Sequence, residues 1–282
     1  MKKNKEISFW DSIFNEYFSK DLAERDMTGI LEFWNKRADK FAGMLKEINS
    51  PYTNSIKDFL KEEFKIGEQT SVLDIGAGTG IISASLCDEV KDCMAVDISP
   101  NMLKHLDDFT RDKKINNITT LCSRWMDVDD TMGCYDIVIC HRAFGVSSTD
   151  SEDYPDFYRS VKKMNDMAKR GVVIISPAKD SLKQELKEIH SPRDNFEPLD
   201  KCDHLYNLCY AMRYFPQVKY ILRNEELVYY KFDEFYESLQ HGKRSKITKK
   251  QAMEYFANKA RKQCEKYIID NTKRTKILWW IK

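Results

Sequence analysis

The sequence has no long apolar run. No stretch approaches the roughly 20 residues that a membrane-spanning helix needs, so a bilayer-embedded chain is not expected. Its lysine-rich beginning lacks the apolar segment of a secretory signal, and its eight cysteines follow no regular framework. Both features point to a cytoplasmic protein with reduced thiols. Cys202, His204 and Cys209 are three potential ligands within eight residues, but they match no common zinc spacing and have no evident fourth ligand. Packing cysteines are therefore expected, and no metal. A dominant charge is absent too: 46 Lys and Arg oppose 45 Asp and Glu, a net charge of +1. Residues 231–282 depart from this balance, with 14 basic against 6 acidic residues. That patch could attract RNA or another anion. No RNA-binding motif accompanies it, and lysine-rich helices are commonly solvated faces.

The 282 residues, 42% of them apolar, suffice for a large α/β domain with additions. One segment concentrates the chemistry. Val72-Leu73-Asp74-Ile75 reads as a buried strand, and Gly76-Ala77-Gly78-Thr79-Gly80 follows as a loop whose glycines let backbone N–H groups approach a ligand. Ile81, Ile82, Leu86 and Val90 then keep helical spacing over 81–90. A dinucleotide fingerprint, G-x-G-x-x-G, would need a third glycine where Ile81 stands. The chain instead reads D-x-G-x-G-x-G, and an acid at the strand end suits a cationic amino-acid ligand better than a diphosphate. A second strand, Met94-Ala95-Val96-Asp97, ends in another carboxylate, placed to grip two ribose hydroxyls.

Together these segments resemble motifs I and II of class I S-adenosylmethionine-dependent methyltransferases. The resemblance runs from about residue 30 to the C-terminus and is strongest over 71–146. It implies that Asp74 and the backbone of Gly76 and Gly78 hold the methionine part of the cofactor, with Gly80 completing the loop. It also implies that Asp97 holds the ribose, while Ile98 and Met102 flank the adenine. Trp34-Asn35-Lys36-Arg37-Ala38 resembles the W-x-x-R-A element of many small-molecule members, in which a helix folds over the cofactor; an ordinary packing helix is the alternative for Trp34 and Arg37. Ser123-Arg124-Trp125-Met126-Asp127 stands where the family brackets the adenine. Arg124 replaces the usual acid, so the backbone or Asp127 would read the adenine amine, and Trp125 would either stack on the ring or belong to the core.

The implied fold is an α/β Rossmann-like sheet of seven strands, ordered 3-2-1-4-5-7-6. Helices are expected at residues 7–48 in two amphipathic patterns (Phe9, Trp10, Ile13, Phe14, Tyr17, Phe18; then Ile30, Phe33, Trp34, Arg37, Phe41, Leu45), at Met102–Asp112 and at Tyr154–Arg170. Strands are expected at Ile118–Cys122, Tyr135–Cys140, Gly171–Pro177, Val218–Leu222 and Leu227–Phe232, with Ile277–Ile281 inserted antiparallel as the last strand to join the sheet. Residues 1–50 would form a helical cap and 51–282 the methyltransferase domain, with a helical insertion at about 233–270.

The fourth strand leads into Cys140-His141-Arg142, at the sheet end where ligands bind in open α/β folds. N/D-P-P-Y/F, usual here in enzymes that methylate planar nitrogens, is absent. With an ordinary pKa His141 would be a candidate general base, and Arg142 a substrate contact. A sulfonium is already a strong methyl donor, so in-line alignment could make a base dispensable. The expected activity is methyl transfer to a small molecule, leaving S-adenosylhomocysteine. The alternatives are an RNA methyltransferase using Lys243, Arg244, Lys246, Lys249 and Lys250, or a protein that binds S-adenosylmethionine without turnover.

Overall fold

A computed structural model describes residues 4–24, 29–149, 155–178, 182, 186, 201–240 and 247–282. The chain separates into two compact units, Met1–Ser176 with Lys201–Lys219 and Ile277–Lys282, and Pro177–Asp200 with Tyr220–Lys276.

The strands are β1 (Ser71–Ile75), β2 (Asp92–Asp97), β3 (Ile118–Cys122), β4 (Tyr135–His141), β5 (Ala168–Pro177), β6 (Gln217–Tyr229), β7 (Arg261–Gln263) and β8 (Lys266–Ile281). Their order is β3-β2-β1-β4-β5-β8-β6, with the short β7 paired to β8. This is the expected order with β8 as the last strand to insert. β1 to β5 run parallel. In β1 and β4 the Val, Leu and Ile runs are buried, as strands covered on both faces require. The last strand is antiparallel: Lys282 N–H donates to the Arg170 carbonyl at 2.9 Å and Ala178 N–H to the Arg274 carbonyl at 2.9 Å, so one partner number rises as the other falls.

The helices of the first unit are α1 (Lys5–Glu24), α2 (Ile30–Asn35), α3 (Ala38–Ala42), α4 (Pro51–Phe64), α5 (Ile81–Leu86), α6 (Pro100–Lys113), α7 (Phe144–Ser147), α8 (Phe157–Met167) and α9 (Lys201–Ala211). On α1, Phe14 stacks on Phe157 at 4.1 Å, and Asp11 Oδ1 accepts the Tyr158 N–H at 3.0 Å. Phe9 is left exposed.

Several expected elements differ. The pattern over Ile30–Leu45 is not one helix: α2 stops at Asn35, a turn carries Lys36 and Arg37, α3 follows, and a 3-10 turn covers Gly43–Glu47. The break has a cause, because Asn35 Oδ1 accepts the Ser99 hydroxyl at 2.6 Å and its carbonyl accepts the Asn101 amide at 3.4 Å, binding the chain to β2–α6. The helix expected at Tyr154–Arg170 is shorter, since Ala168–Arg170 already belong to β5; Tyr154 lies outside the described residues. The two stretches expected to be extended, Val218–Leu222 and Leu227–Phe232, merge into one strand, β6, which ends at Tyr229, and Phe232 already begins the next helix. α4 was not foreseen, although Ser50 caps it by accepting the Thr53 N–H and Pro51 opens its first turn.

In the second unit α10 (Phe232–Gln240) and α11 (Lys249–Lys259) occupy only the first part of the stretch expected to be helical at about 233–270; Arg261–Gln263 is β7, and β8 already begins at Lys266 rather than at Ile277. Leu182, Leu186, Phe235, Leu239, Tyr255 and Ile269 give it a core of its own. No described helix is long and apolar enough to cross a membrane.

Gly171 marks where β8 seats against β5: a Cβ there would lie 2.3 Å from the Trp280 carbonyl oxygen and 2.6 Å from Phe64 Cε1. Gly171→Ala should therefore destabilise the fold by about 1–3 kcal/mol. The expected result is a lower urea midpoint at unchanged slope; an unchanged midpoint would contradict this seating.

Candidate functional site

Gly76, Gly78 and Gly80 all have positive φ (66°, 57° and 86°), but their surroundings differ. A Cβ at Gly76 would lie 2.2 Å from Ala143 Cβ and 2.7 Å from Ser147 Oγ, and one at Gly80 would lie 2.4 Å from Leu106 Cδ1. These two glycines let the loop close on the β4–α7 turn and on α6. Gly78 has no neighbour within 4 Å of its Cβ position, so it faces open space. It is where another molecule can approach the backbone.

Two carboxylates flank the loop. Asp74 is 1% exposed, and its Oδ2 accepts the Ser83 hydroxyl at 2.6 Å while the buried Oδ1 has no partner. Burial raises its pKa to about 6, and the Ser83 bonds oppose the shift. Asp97 Oδ1 accepts the Ser99 N–H and Oδ2 the Gly78 N–H, each at 2.8 Å. Burial raises its pKa also, against those backbone bonds. Each carboxylate oxygen keeps capacity for a further donor.

A polar strap joins the loop to the N-terminal helices. Beyond its bond to Asn35, the Ser99 hydroxyl accepts the Met102 N–H at 3.1 Å, and Thr79 donates to the Phe41 carbonyl at 3.2 Å. Asn35, Thr79, Ser83 and Ser99 were not singled out in the sequence. Of these only Ser99 carried a readable signal, as a cap before Pro100. Trp34 is half-buried, its ring edge-on to Phe33 and Phe41 at 5.2 and 5.8 Å. Arg37 is exposed and lies over the Phe33 ring at 3.5 Å.

On the expected adenine side, Ile98 and Arg124 are half-buried and Asp127 is exposed. Met102, Trp125 and Met126 are buried. Trp125 donates its indole N–H to Ser160 Oγ at 3.1 Å, and the Lys163 ammonium lies 4.9 Å from its ring centroid. Its surroundings match the core alternative rather than a stacking platform. Lys163 also donates to the Met126 carbonyl at 3.3 Å and to that of Val128.

Beyond β4, His141 Nε2 hydrogen-bonds the Tyr52 hydroxyl at 2.8 Å. The ordinary pKa expected for His141 is corrected: burial, then the Arg142 charge, lower it to about 3. The ring is neutral and a poor base. Tyr52 was missed because its contact spans 89 positions. Arg142 is exposed and held in the left-handed region at φ 58°, its N–H donating to the Ile175 carbonyl at 2.7 Å.

The remaining candidates lie elsewhere. His204 and Cys209 are buried on α9, where the His204 ring stacks on Phe14 at 6.3 Å; the Cys202 side chain lies outside the described set. Among the described residues no three metal-ligating side chains converge. Cys87, Cys93, Cys122, Cys134, Cys140 and Cys264 are free thiols. Lys249 pairs with Asp233 at 3.1 Å and Lys250 is exposed, whereas Lys243, Arg244 and Lys246 lie outside the described residues.

Residues 72–166 match the model of a family described as methyltransferase domain. This segment is a methyltransferase domain. It contains the glycine loop, both carboxylates and His141. An uncharacterized protein of Haemophilus influenzae is 29% identical over 143 residues, 51% of this chain and 49% of that protein, so the match spans about half of the relative's length. The crystal structure of the YcgJ protein of Bacillus subtilis is similar at 18% identity and TM-score 0.47, covering 82% of this chain and 98% of that one. Magnesium protoporphyrin IX methyltransferase of Synechocystis, solved with bound SAH, is similar at 13% identity and TM-score 0.45, covering 99% and 100%. At such identities and scores the fold assignment rests on the strand order itself.

A lowered histidine pKa has a stability consequence. Below pH about 6.5 an unfolded His141 takes up a proton that the folded ring refuses down to about 3, so this residue's contribution to stability is lost as pH falls through that window. Nitrogen-detected NMR should find the His141 ring of the folded methyltransferase domain neutral at pH 5, and a ring half-protonated near pH 6.5 would contradict the burial argument.

Proposed function

We propose that the chain is an S-adenosylmethionine-dependent methyltransferase acting on a small molecule, with S-adenosylhomocysteine as the second product. The observation that carries this is the unpartnered Oδ1 of buried Asp74 near a loop in which Gly78 faces open space, with Asp97 at the neighbouring strand end. An orphaned anion and an unobstructed backbone fit a ligand with an ammonium group at one end and a diol further along. When bound, S-adenosylmethionine supplies a methyl group on a sulfonium sulfur.

In this reading Asp74 accepts from the ammonium, and the Gly76–Gly80 loop lies along the methionine part. Asp97 accepts from the ribose hydroxyls, while Ile98 and Met102 line the adenine with Arg124 at its rim. Trp34 and Arg37 belong to a helical cap, residues 1–50, over the domain formed by 51–282. His141 acts as a neutral hydrogen-bonding group and Arg142 reaches toward the acceptor. Without a side chain identified as a base, alignment contributes most, up to roughly 7–11 kcal/mol.

The RNA alternative has less support. Within the second unit Arg261 pairs with Glu226 at 3.1 Å and Asp270 at 2.9 Å, and Lys273 pairs with Glu225 at 2.8 Å, so part of the basic excess is already matched.

Calorimetry should show S-adenosylmethionine and S-adenosylhomocysteine binding and NAD not binding. Asp97→Ala should weaken binding by about 1.5–3 kcal/mol per lost charged hydrogen bond; unchanged affinity would remove Asp97 from the ribose. Because burial sets the Asp74 pKa to about 6, its ionisation opposes folding as pH rises from about 4 to about 6, and a bound cation offsets that cost. Affinity should therefore fall as pH drops below about 6, and Asp74→Asn should flatten the dependence. For RNA, the measurement is label transfer and affinity against salt, where each phosphate contact on a single strand adds a logarithmic slope of about −0.7. Charge reversal at Lys249 and Lys250 is expected to leave cofactor binding unchanged, and total RNA is expected neither to bind tightly nor to accept label. Salt-sensitive binding with label incorporation would replace the small-molecule reading.

A further inference from the structure

The sheet ends at β6: β8 lies on one side of it, and among the described residues no strand lies on the other. At 13 residues this is a long edge, and the outer row of N–H and C=O groups on such a strand is a template for a further strand. Within the second unit the edge runs from Tyr220 to Tyr229. Strand alternation sends its side chains to two faces. On one, Ile221, Leu227 and Tyr229 are half-buried, the last two against the core of the unit. The other is open to water: Tyr220 is 50%, Leu222 61% and Val228 46% exposed. Large apolar side chains on an open edge strand favour association. Charges at an edge commonly discourage pairing, but here both signs are present, Arg223 being followed by Glu225 and Glu226.

We propose that a second copy of this chain covers the edge, β6 pairing antiparallel with β6 of the partner about a two-fold axis at Asn224. The proposal is independent of the cofactor reading above. A symmetric antiparallel pair sets one residue opposite its own copy, and the charges select which. With Asn224 on the axis, Arg223 stands opposite the partner's Glu225, Ile221 opposite the partner's Leu227, and Tyr220 opposite the partner's Val228. Each of these pairs occurs twice. Moving the axis by one residue in either direction puts Arg223 or Glu225 opposite its own copy, and like charges directly opposed are destabilising. The favoured register also lets Tyr220 and Val228 cover each other on the exposed face, and it sets Leu222 against the partner's Glu226.

The test is sedimentation velocity of the full chain over a concentration series, which should show a monomer–dimer equilibrium. Leu222 is exposed, so its replacement leaves the fold intact. Leu222→Glu, which opposes the partner's Glu226, should weaken the dimer by about two- to thirtyfold, because each cross-strand pair counts twice. Leu222→Lys, facing the same carboxylate, should retain it. An apolar contact without this register would lose equally from both. Directly opposed residues have Cα atoms about 4.5–5.5 Å apart, within disulfide reach, so Asn224→Cys treated with oxidised glutathione should join two copies through position 224, as read from the mass of the linked peptide. A monomer at every concentration, an equal loss in the two Leu222 variants, or a dimer that does not link at position 224 overturns the proposal.

Discussion

The Asp97 carboxylate ties together the parts of the molecule that shape the site. One oxygen holds the Gly78 N–H and the other the Ser99 N–H, so a single side chain sets the glycine loop against the β2–α6 turn. Ser99 carries the connection onward, capping α6 through Met102 and reaching Asn35 through its hydroxyl. The break between α2 and α3 follows from that last bond. A carboxylate at this strand end thus organises the loop, the helix cap and the N-terminal segment together. The two backbone donors offset part of its burial cost and leave further acceptor capacity for a ligand.

The interior near the loop disfavours charge, and its ionisable groups respond in opposite directions. Asp74 becomes a weaker acid and His141 a weaker base, each because burial penalises its charged form. Cys93 and Cys140 are pushed upward as thiols for the same reason, with Asp74 adding repulsion. A cationic ligand is therefore the natural complement to this region: it would let Asp74 ionise where the protein alone opposes ionisation. The hydrogen bond between His141 and Tyr52 requires no proton uptake.

Legibility in the sequence followed the range of the interactions. Strand β3 was readable to the residue, and β1, β2 and β4 to within a few; in β1 and β4 a buried parallel strand writes its environment as a local apolar run, whereas no residue of β3 is fully buried. Asp74, Gly78 and Asp97 were readable because each sits at a fixed offset from a strand end. The Ile30–Leu45 segment misled because its apolar periodicity was genuine while the bond that breaks it comes from Ser99, 64 positions away. Trp125 was ambiguous for a related reason: an aromatic beside a cofactor and an aromatic in a core have the same local pattern, and Ser160 with Lys163 decides between them.

The sequence by itself determined the strand-loop-helix unit, the acids at its two strand ends and the exclusion of a dinucleotide fingerprint, since these depend on backbone sterics and residue spacing. Tertiary structure alone decided which glycine is open. Gly76 and Gly80 owe their need for glycine to Ala143, Ser147 and Leu106, while Gly78 alone of the three faces space. It also decided that His141 is neutral and that Tyr52 is its partner, because burial and a contact across 89 residues set both. Local pattern records which groups the chain carries; only packing sets their solvation and their neighbours, and through those their charge.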